Sequence, residues 1–300
     1  MTRVGLVLGA GGVTGEAFHR GVLNSLRDET GWDARTAEIV VGTSAGSLVA
    51  ASLRTPVDRP TPVPTSRPDP VRRIDGFGAF GAAVRRPWRV RPVVLATALL
   101  PAGGQPVEMV TSGLRRRFGL EWATHELWVV AARRRDGRRV VFGRDDAPRT
   151  DVASAVAASC AIPGYFTPVT IGGETYIDGG VHSPTNADLL AGRGLDLVVI
   201  SSPMSIQTGA ARPRLDLSLR LMWHRYVMAE TRAVRRRGTA VLVIEPDAAT
   251  LSHMGINTMR ARDVDEVEDA AERATVVALR RPVNLPKREL LRSGLSSASA

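Results

Sequence analysis

The 300-residue chain has one cysteine, few aromatic residues (5%) and no repeating period among its 29 glycines and 19 prolines. Each scarcity excludes a class. A lone Cys160 cannot close an internal disulfide and reads as a small buried hydrophobe. No Cys/His cluster has the spacing of a metal site, and no cofactor is expected. Glycine and proline without a period exclude collagen-like and repeat folds. The first apolar segment, Val4-Gly5-Leu6-Val7-Leu8, is too short to span a bilayer and lacks a signal cleavage pattern. It reads as a first core strand, and the protein is expected in the cytoplasm, with the inner membrane surface as a second place to find it.

What the chain does have is a hydrophobic fraction of 44% and a formal net charge of +10, carried almost wholly by arginine. That length supports one substantial core. The charge suits an anionic membrane surface or nucleic acid, or a merely solvated surface.

Strand and helix signals alternate. Val4–Leu8 is followed by a glycine turn and by Phe18, Val22 and Leu26 at helical spacing; Ile39-Val40-Val41 is followed by a turn and the helical segment 48–53. Two strand-turn-helix units in succession predict an α/β fold, a three-layer α/β/α sandwich on a mostly parallel central sheet. Residues 54–105 break the pattern with six prolines from Pro56 to Pro70, then apolar anchors such as Phe77 and Trp88 among arginines. This stretch reads as a Pro/Arg-rich insertion or lid suited to a lipid headgroup layer. Beyond it the sequence predicts a helix from Val107 to Phe118, a hairpin of 127–132 and 139–142 around Asp136-Gly137, and a helix capped by Thr150-Asp151 and ended by Pro163. Two short strands follow around Gly172-Gly173, then a strand over 195–200, a helix over 215–237, a strand over 240–244 and a helix over 264–279. Residues 286–300 are taken as a C-terminal tail.

Gly42-Thr43-Ser44-Ala45-Gly46 joins the second strand to a helix, the context of a nucleophile elbow. The turn is so tight that Gly42 and Gly46 must lack side chains, and it thrusts Ser44 into a cleft at a helix N-terminus. Gly9-Ala10-Gly11-Gly12-Val13-Thr14-Gly15 lies between the first strand and first helix, where its amides can converge on an anion. A dinucleotide-binding loop would need an acidic residue ending the next strand. That strand ends in the serine elbow instead, so the loop suits an oxyanion hole formed by Gly11 and Gly12 with help from Ala45. Asp178-Gly179-Gly180 ends a short strand, and such a triplet is also a common surface turn.

Taken together, the Gly9–Gly15 loop, the Gly42–Gly46 elbow, the segment from Ala158-Ser159 to Pro163 and Asp178-Gly179-Gly180 resemble the patatin-like phospholipases, over Val4 to about Leu190. The resemblance implies one hydrolase domain over residues 1–285 and a Ser-Asp dyad of Ser44 and Asp178 without histidine. It implies fatty-acyl esters of phospholipids or lysophospholipids as substrates. The family often carries Arg or Lys where this chain has Thr14.

A Ser-His-Asp α/β-hydrolase is a rival, since His182, His224 and His253 follow Asp178, but that fold places several strands before its elbow. His182 reads as a hydrogen-bonded structural residue and His19 as a non-reacting neighbour of the cleft. Malonyl-transacylase-like enzymes share an early Gly-x-Ser-x-Gly but not this opening loop. A basic membrane- or nucleic-acid-binding protein with a vestigial site would use Arg115–Arg117, Arg133–Arg135 and Arg235–Arg237; with so few aromatics for stacking, nucleic acid is an unfavoured partner.

Overall fold

The computed structural model describes residues 2–55, 107–207, 216–259 and 263–293. The insertion over 54–105 and the end of the tail from residue 294 therefore lie almost wholly outside the described residues. Eight strands form one sheet: β1 (Val4–Leu8), β2 (Ile39–Thr43), β3 (Leu127–Arg133), β4 (Arg139–Phe142), β5 (Val169–Ile171), β6 (Glu174–Asp178), β7 (Leu197–Ser201) and β8 (Ala240–Ile244). Their order is β5-β6-β3-β2-β1-β7-β8, with β4 also on β3. Pairings among β3, β2, β1, β7 and β8 are all parallel, while β4 and β6 join β3 antiparallel.

The described helices include α1 (Gly12–Thr30), α2 (Ala45–Arg54), α3 (Val107–Phe118), α4 (Val152–Ser159), α5 (Leu217–Arg235), α6 (Ala248–Met254), α7 (Val264–Leu279) and α8 (Leu285–Ser293). Strand side chains alternate between the two faces of the sheet. Leu6, Leu8, Val40, Val129, Val199 and Leu242 join Phe18, Val22 and Leu26 of α1 and Val267 of α7 in one apolar cluster. Val7, Val41, Val130, Val198, Ile200 and Val241 join Leu189, Leu190 and α5 residues Val227 and Val234 in the other. Two cores separated by a two-residue period are what a sheet covered on both faces requires, and each fully buried Leu or Val contributes about 1.5–3 kcal/mol. The expected three layers are present.

The structure corrects one boundary. Residues 286–293, read from sequence as tail, belong to α8, whose Leu291 is fully buried and whose Arg288 bonds Glu29 at the end of α1 (3.1 Å). Of the charged run Lys287-Arg288-Glu289, Lys287 bonds Asn284, Arg288 turns to Glu29, and Glu289 is exposed.

Strand order also locates the cleft. The chain moves from β1 to β2 and β3 on one side and returns as β7 and β8 on the other, so the switch point lies beside β1, where α/β proteins open a crevice at the carboxyl ends of strands.

Candidate active site

The elbow begins with a geometric conflict on β3. Val130 pairs with Thr43 of β2 on one edge and Val141 of β4 on the other; Ala131 pairs with Val140 of β4 and Asp178 of β6. A residue can pair with one strand per edge, so β2 and β6 share the edge opposite β4. They run head-on toward each other along it. β2 runs out at Thr43, β6 at Asp178, and Ser44 and Asp178 are thereby delivered to the same point from opposite directions.

Both chains must turn away there. Ser44 does so with φ +53°, ψ −124°, a conformation disfavoured for a residue with a Cβ and worth about 1–3 kcal/mol of strain. A Cβ on Gly46 would stand 2.1 Å from the Leu8 carbonyl oxygen, and one on Gly42 2.6 Å from the Ser47 Cα, so neither glycine can be replaced without moving backbone. Ser159 fills the break in the ladder: its Oγ accepts from the Ser44 N–H (2.8 Å) and donates to the Val130 carbonyl (2.6 Å). The Asp178 N–H donates to Ala161 O just beyond α4 (3.0 Å).

Three hydrogen bonds tie the glycine loop after β1. Gly9 O accepts from the Gly46 N–H (3.1 Å) and bonds His19 Nε2 (2.8 Å), and the Ala10 N–H donates to Pro184 O (2.8 Å). His19 Nδ1 meets Ser201 Oγ (2.8 Å), so this fully buried ring lies behind the loop rather than facing the cleft. Burial pushes its pKa down to about 4, which leaves it neutral. Gly12 adopts φ +61° and opens α1. Among the described residues, no group accepts from the N–H of Gly11, Gly12 or Ala45. Gly15 closes the turn by donating to Gly11 O (2.9 Å). Thr14 is buried and its hydroxyl has no partner among the described residues.

Ser44 and Asp178 are 4% and 6% exposed and together line a cleft of about 310 Å³, at the small end for ligand sites. Ala10, Gly11, Gly12 and Gly180 form its polar end; Ile162, Pro163, Val181, Met204, Trp223 and Met259 form apolar walls. Ala45 and Gly179 stand behind this lining, Ala45 as the first residue of α2. Burial raises the Asp178 carboxyl from 3.8 to about 6, against the opposing hydrogen bonds from the Ser44 hydroxyl and the Gly180 N–H. A buried carboxylate near neutrality, bonded to a serine hydroxyl, has the properties of a proton acceptor. A second cavity of about 410 Å³, between Trp122 and Thr150, lies beyond β4 and contains neither residue.

Among the described residues no histidine lines the cleft. His224 bonds Glu245 through Nδ1 (2.8 Å). Cys160 is partly buried beside the core, its Sγ 3.8 Å from Ser47 Oγ, and burial raises its thiol pKa far above neutrality. Among the described residues no group of His, Cys, Asp and Glu is placed to hold a metal, and no helix is long and apolar enough to cross a membrane.

Two supporting residues escape a reading of motifs. Ser159 lies within a segment matched by pattern, yet its bridge between Ser44 and Val130 depends on the head-on strands. His19 lies beside Phe18, on the apolar stripe of α1, and a polar ring on such a stripe is the available signal.

A family model described as patatin-like phospholipase matches residues 6–191. Proteins described as uncharacterized NTE family members, from Mycobacterium bovis and Mycobacterium tuberculosis, are each 28% identical over 213 residues. Those alignments cover 70% of this chain and 51% of each relative, so the chain spans about half the length of the curated relatives it matches. VipD from Legionella pneumophila aligns over 93% of this chain and 66% of its own at 13% identity, with a TM-score of 0.42. With the family model spanning both glycine motifs, the serine elbow and Asp178, the chain belongs to the patatin-like phospholipase family.

Proposed function

We propose that this protein hydrolyses fatty-acyl ester bonds of phospholipids or lysophospholipids through an acyl-enzyme on Ser44. The observation that carries the reading is the meeting of β2 and β6 on one edge of β3, which sets the Ser44 hydroxyl against a buried Asp178 carboxyl raised to about 6.

Ser44 Oγ attacks the ester carbonyl while Asp178 takes its proton, and the oxygen that becomes negative rests on the Gly11 and Gly12 amides, with Ala45 at the α2 N-terminus. Asp178 then protonates the departing alcohol. Water enters, gives a proton to Asp178, attacks the acyl carbon and releases the fatty acid, and the proton returns to Ser44. Gly9, Gly15, Gly42 and Gly46 shape the two turns, Gly179 lets the chain pass close to the Val130 carbonyl, and Gly180 lets it pass close to Ala10 of the glycine loop. The apolar walls from Ile162 to Met259 accept the acyl chain. The net charge of +10 favours approach to an anionic lipid surface from the cytoplasmic side.

Turnover of p-nitrophenyl and lysophospholipid esters by wild type, Ser44→Ala, Asp178→Asn and His182→Ala tests the reading. Both dyad variants are expected to lose at least about 10²–10⁴-fold in kcat and His182→Ala to keep most activity. An active Asp178→Asn beside an inactive His182→Ala would overturn the dyad.

A further inference from the structure

The family match ends at residue 191, yet the site is braced by a side chain beyond it. Glu230, on α5, accepts three hydrogen bonds from one short loop: Ser183 Oγ to Oε1 (2.5 Å), and Thr185 Oγ1 (2.5 Å) and the Ala187 N–H (2.8 Å) to Oε2. A carboxylate taken out of water is costly unless its oxygens are filled by donors, and three donors from one loop fill these. Burial pulls its pKa up while the Ser183 and Thr185 hydroxyls pull it down.

The loop that Glu230 grips, residues 183–187, bonds a residue next to each of Asp178, Gly11 and Ser44. The Ser183 N–H donates to Gly179 O (3.3 Å), one residue from Asp178. Pro184 O accepts the Ala10 N–H (2.8 Å), one residue from Gly11. Asn186 Nδ2 donates to Thr43 Oγ1 (3.2 Å), one residue from Ser44. Asn186 is itself held at φ +56°, ψ +31°, a left-handed conformation that a neighbouring restraint must maintain. On the far side, Arg139 bonds Asp188 (2.6 Å) and steadies the loop's exit.

We infer that Glu230 is a positioning residue, which by gripping the 183–187 loop holds the amides of Gly11 and Gly12, Ser44 and Asp178 in mutual register. This rests on the acyl-hydrolase reading above. It touches no substrate atom; its effect passes through Pro184 to Ala10 and through Asn186 to Thr43. α5 thereby becomes part of the catalytic apparatus.

Glu230→Gln offers one acceptor oxygen and an NH₂ group to a loop that presents three donors. It is expected to lower kcat for p-nitrophenyl ester hydrolysis by about 10- to 100-fold, the cost of a misplacement of about 1 Å, with KM changed little. Thr185→Val removes one donor and is expected to lower kcat in the same way, while Thr185→Ser restores it. Amide hydrogen exchange of the peptide containing Ala10 is expected to speed up in folded Glu230→Gln by more than in peptides remote from the 183–187 loop. Folded Glu230→Gln and Thr185→Val proteins with wild-type kcat and wild-type exchange at Ala10 would overturn the inference. If Glu230→Gln does not fold, the contrast of Thr185→Val with Thr185→Ser decides in the same direction. If wild type itself shows no ester turnover and no labelling of Ser44, the acyl-hydrolase reading fails, and the exchange rate at Ala10 still tells whether Glu230 holds the loop.

Discussion

Replacing Asp178 by asparagine is expected to abolish turnover and stabilise the fold at the same time. The carboxyl is 6% exposed, and its pKa rises from 3.8 to about 6, chiefly through burial and already net of the bonds from Ser44 and Gly180. At 1.36 kcal/mol per pKa unit, holding the ionised form in the fold costs about 3 kcal/mol above pH 6. Between pH 3.8 and 6 the native state binds the proton more tightly than the unfolded chain, so Asp178 lowers stability as pH rises through that window. The penalty is absent below pH 3.8 and complete above 6. An amide of the same shape mimics the protonated acid and escapes it. At pH 8 the variant is therefore expected to be more stable by about 3 kcal/mol, roughly 5 °C in thermal midpoint at this chain length. At pH 4 the two proteins should nearly coincide. Wild type alone would hide the effect, because His19, with its pKa lowered from 6.5 to about 4, loses stability as pH falls over much of the same range. The difference between wild type and variant cancels that contribution. Calorimetry from pH 4 to 8 supplies the numbers; an Asp178→Asn protein less stable than wild type at pH 8, or a gap that does not change with pH, would show that the Asp178 carboxylate carries no burial penalty.

The same carboxyl sets the pH profile of wild type: kcat/KM is expected to fall tenfold per unit below a pKa of about 6, as Asp178 loses the capacity to accept the Ser44 proton. Ser44→Gly should be more stable than Ser44→Ala by about 1 kcal/mol in denaturant unfolding, because only glycine releases the strain at φ +53°. Gly46→Ala should cost about 3 kcal/mol or more, since its Cβ would meet the Leu8 carbonyl at 2.1 Å, and circular dichroism melts would report it. Ser159→Ala leaves the Ser44 N–H and the Val130 carbonyl without their bridge and should destabilise by about 1–3 kcal/mol, measured by the same melts.

Much of this site is legible in sequence because its chemistry is local. A glycine where no Cβ fits and a serine between two such glycines are written in consecutive residues, and the strand-to-helix alternation around them places both loops at one edge of a parallel sheet. Asp178 is different. From residues alone it is a turn triplet; the head-on approach of β2 and β6 gives it a partner, and that arises because two strands distant in sequence both pair with one edge of β3. Glu230 is further removed, yet it leaves a trace: Arg220, Trp223, Val227, Thr231 and Val234 define the buried face of α5, and Glu230, the one carboxylate of that helix, lies beside it. A charge at a core-facing position asks for partners, and the 183–187 loop supplies them. The end of the chain misled for the opposite reason. The periodic signal of α8 is short, Leu291 alone is fully buried, and the charges around it outweigh one anchor.

Active-site titration shows whether Ser44 is the nucleophile. Folded wild type incubated with a fluorophosphonate should take up one equivalent on the tryptic peptide containing Ser44, with no uptake by Ser44→Ala or by unfolded protein. Intact mass showing no adduct on folded wild type, or an adduct on another residue, would contradict the account.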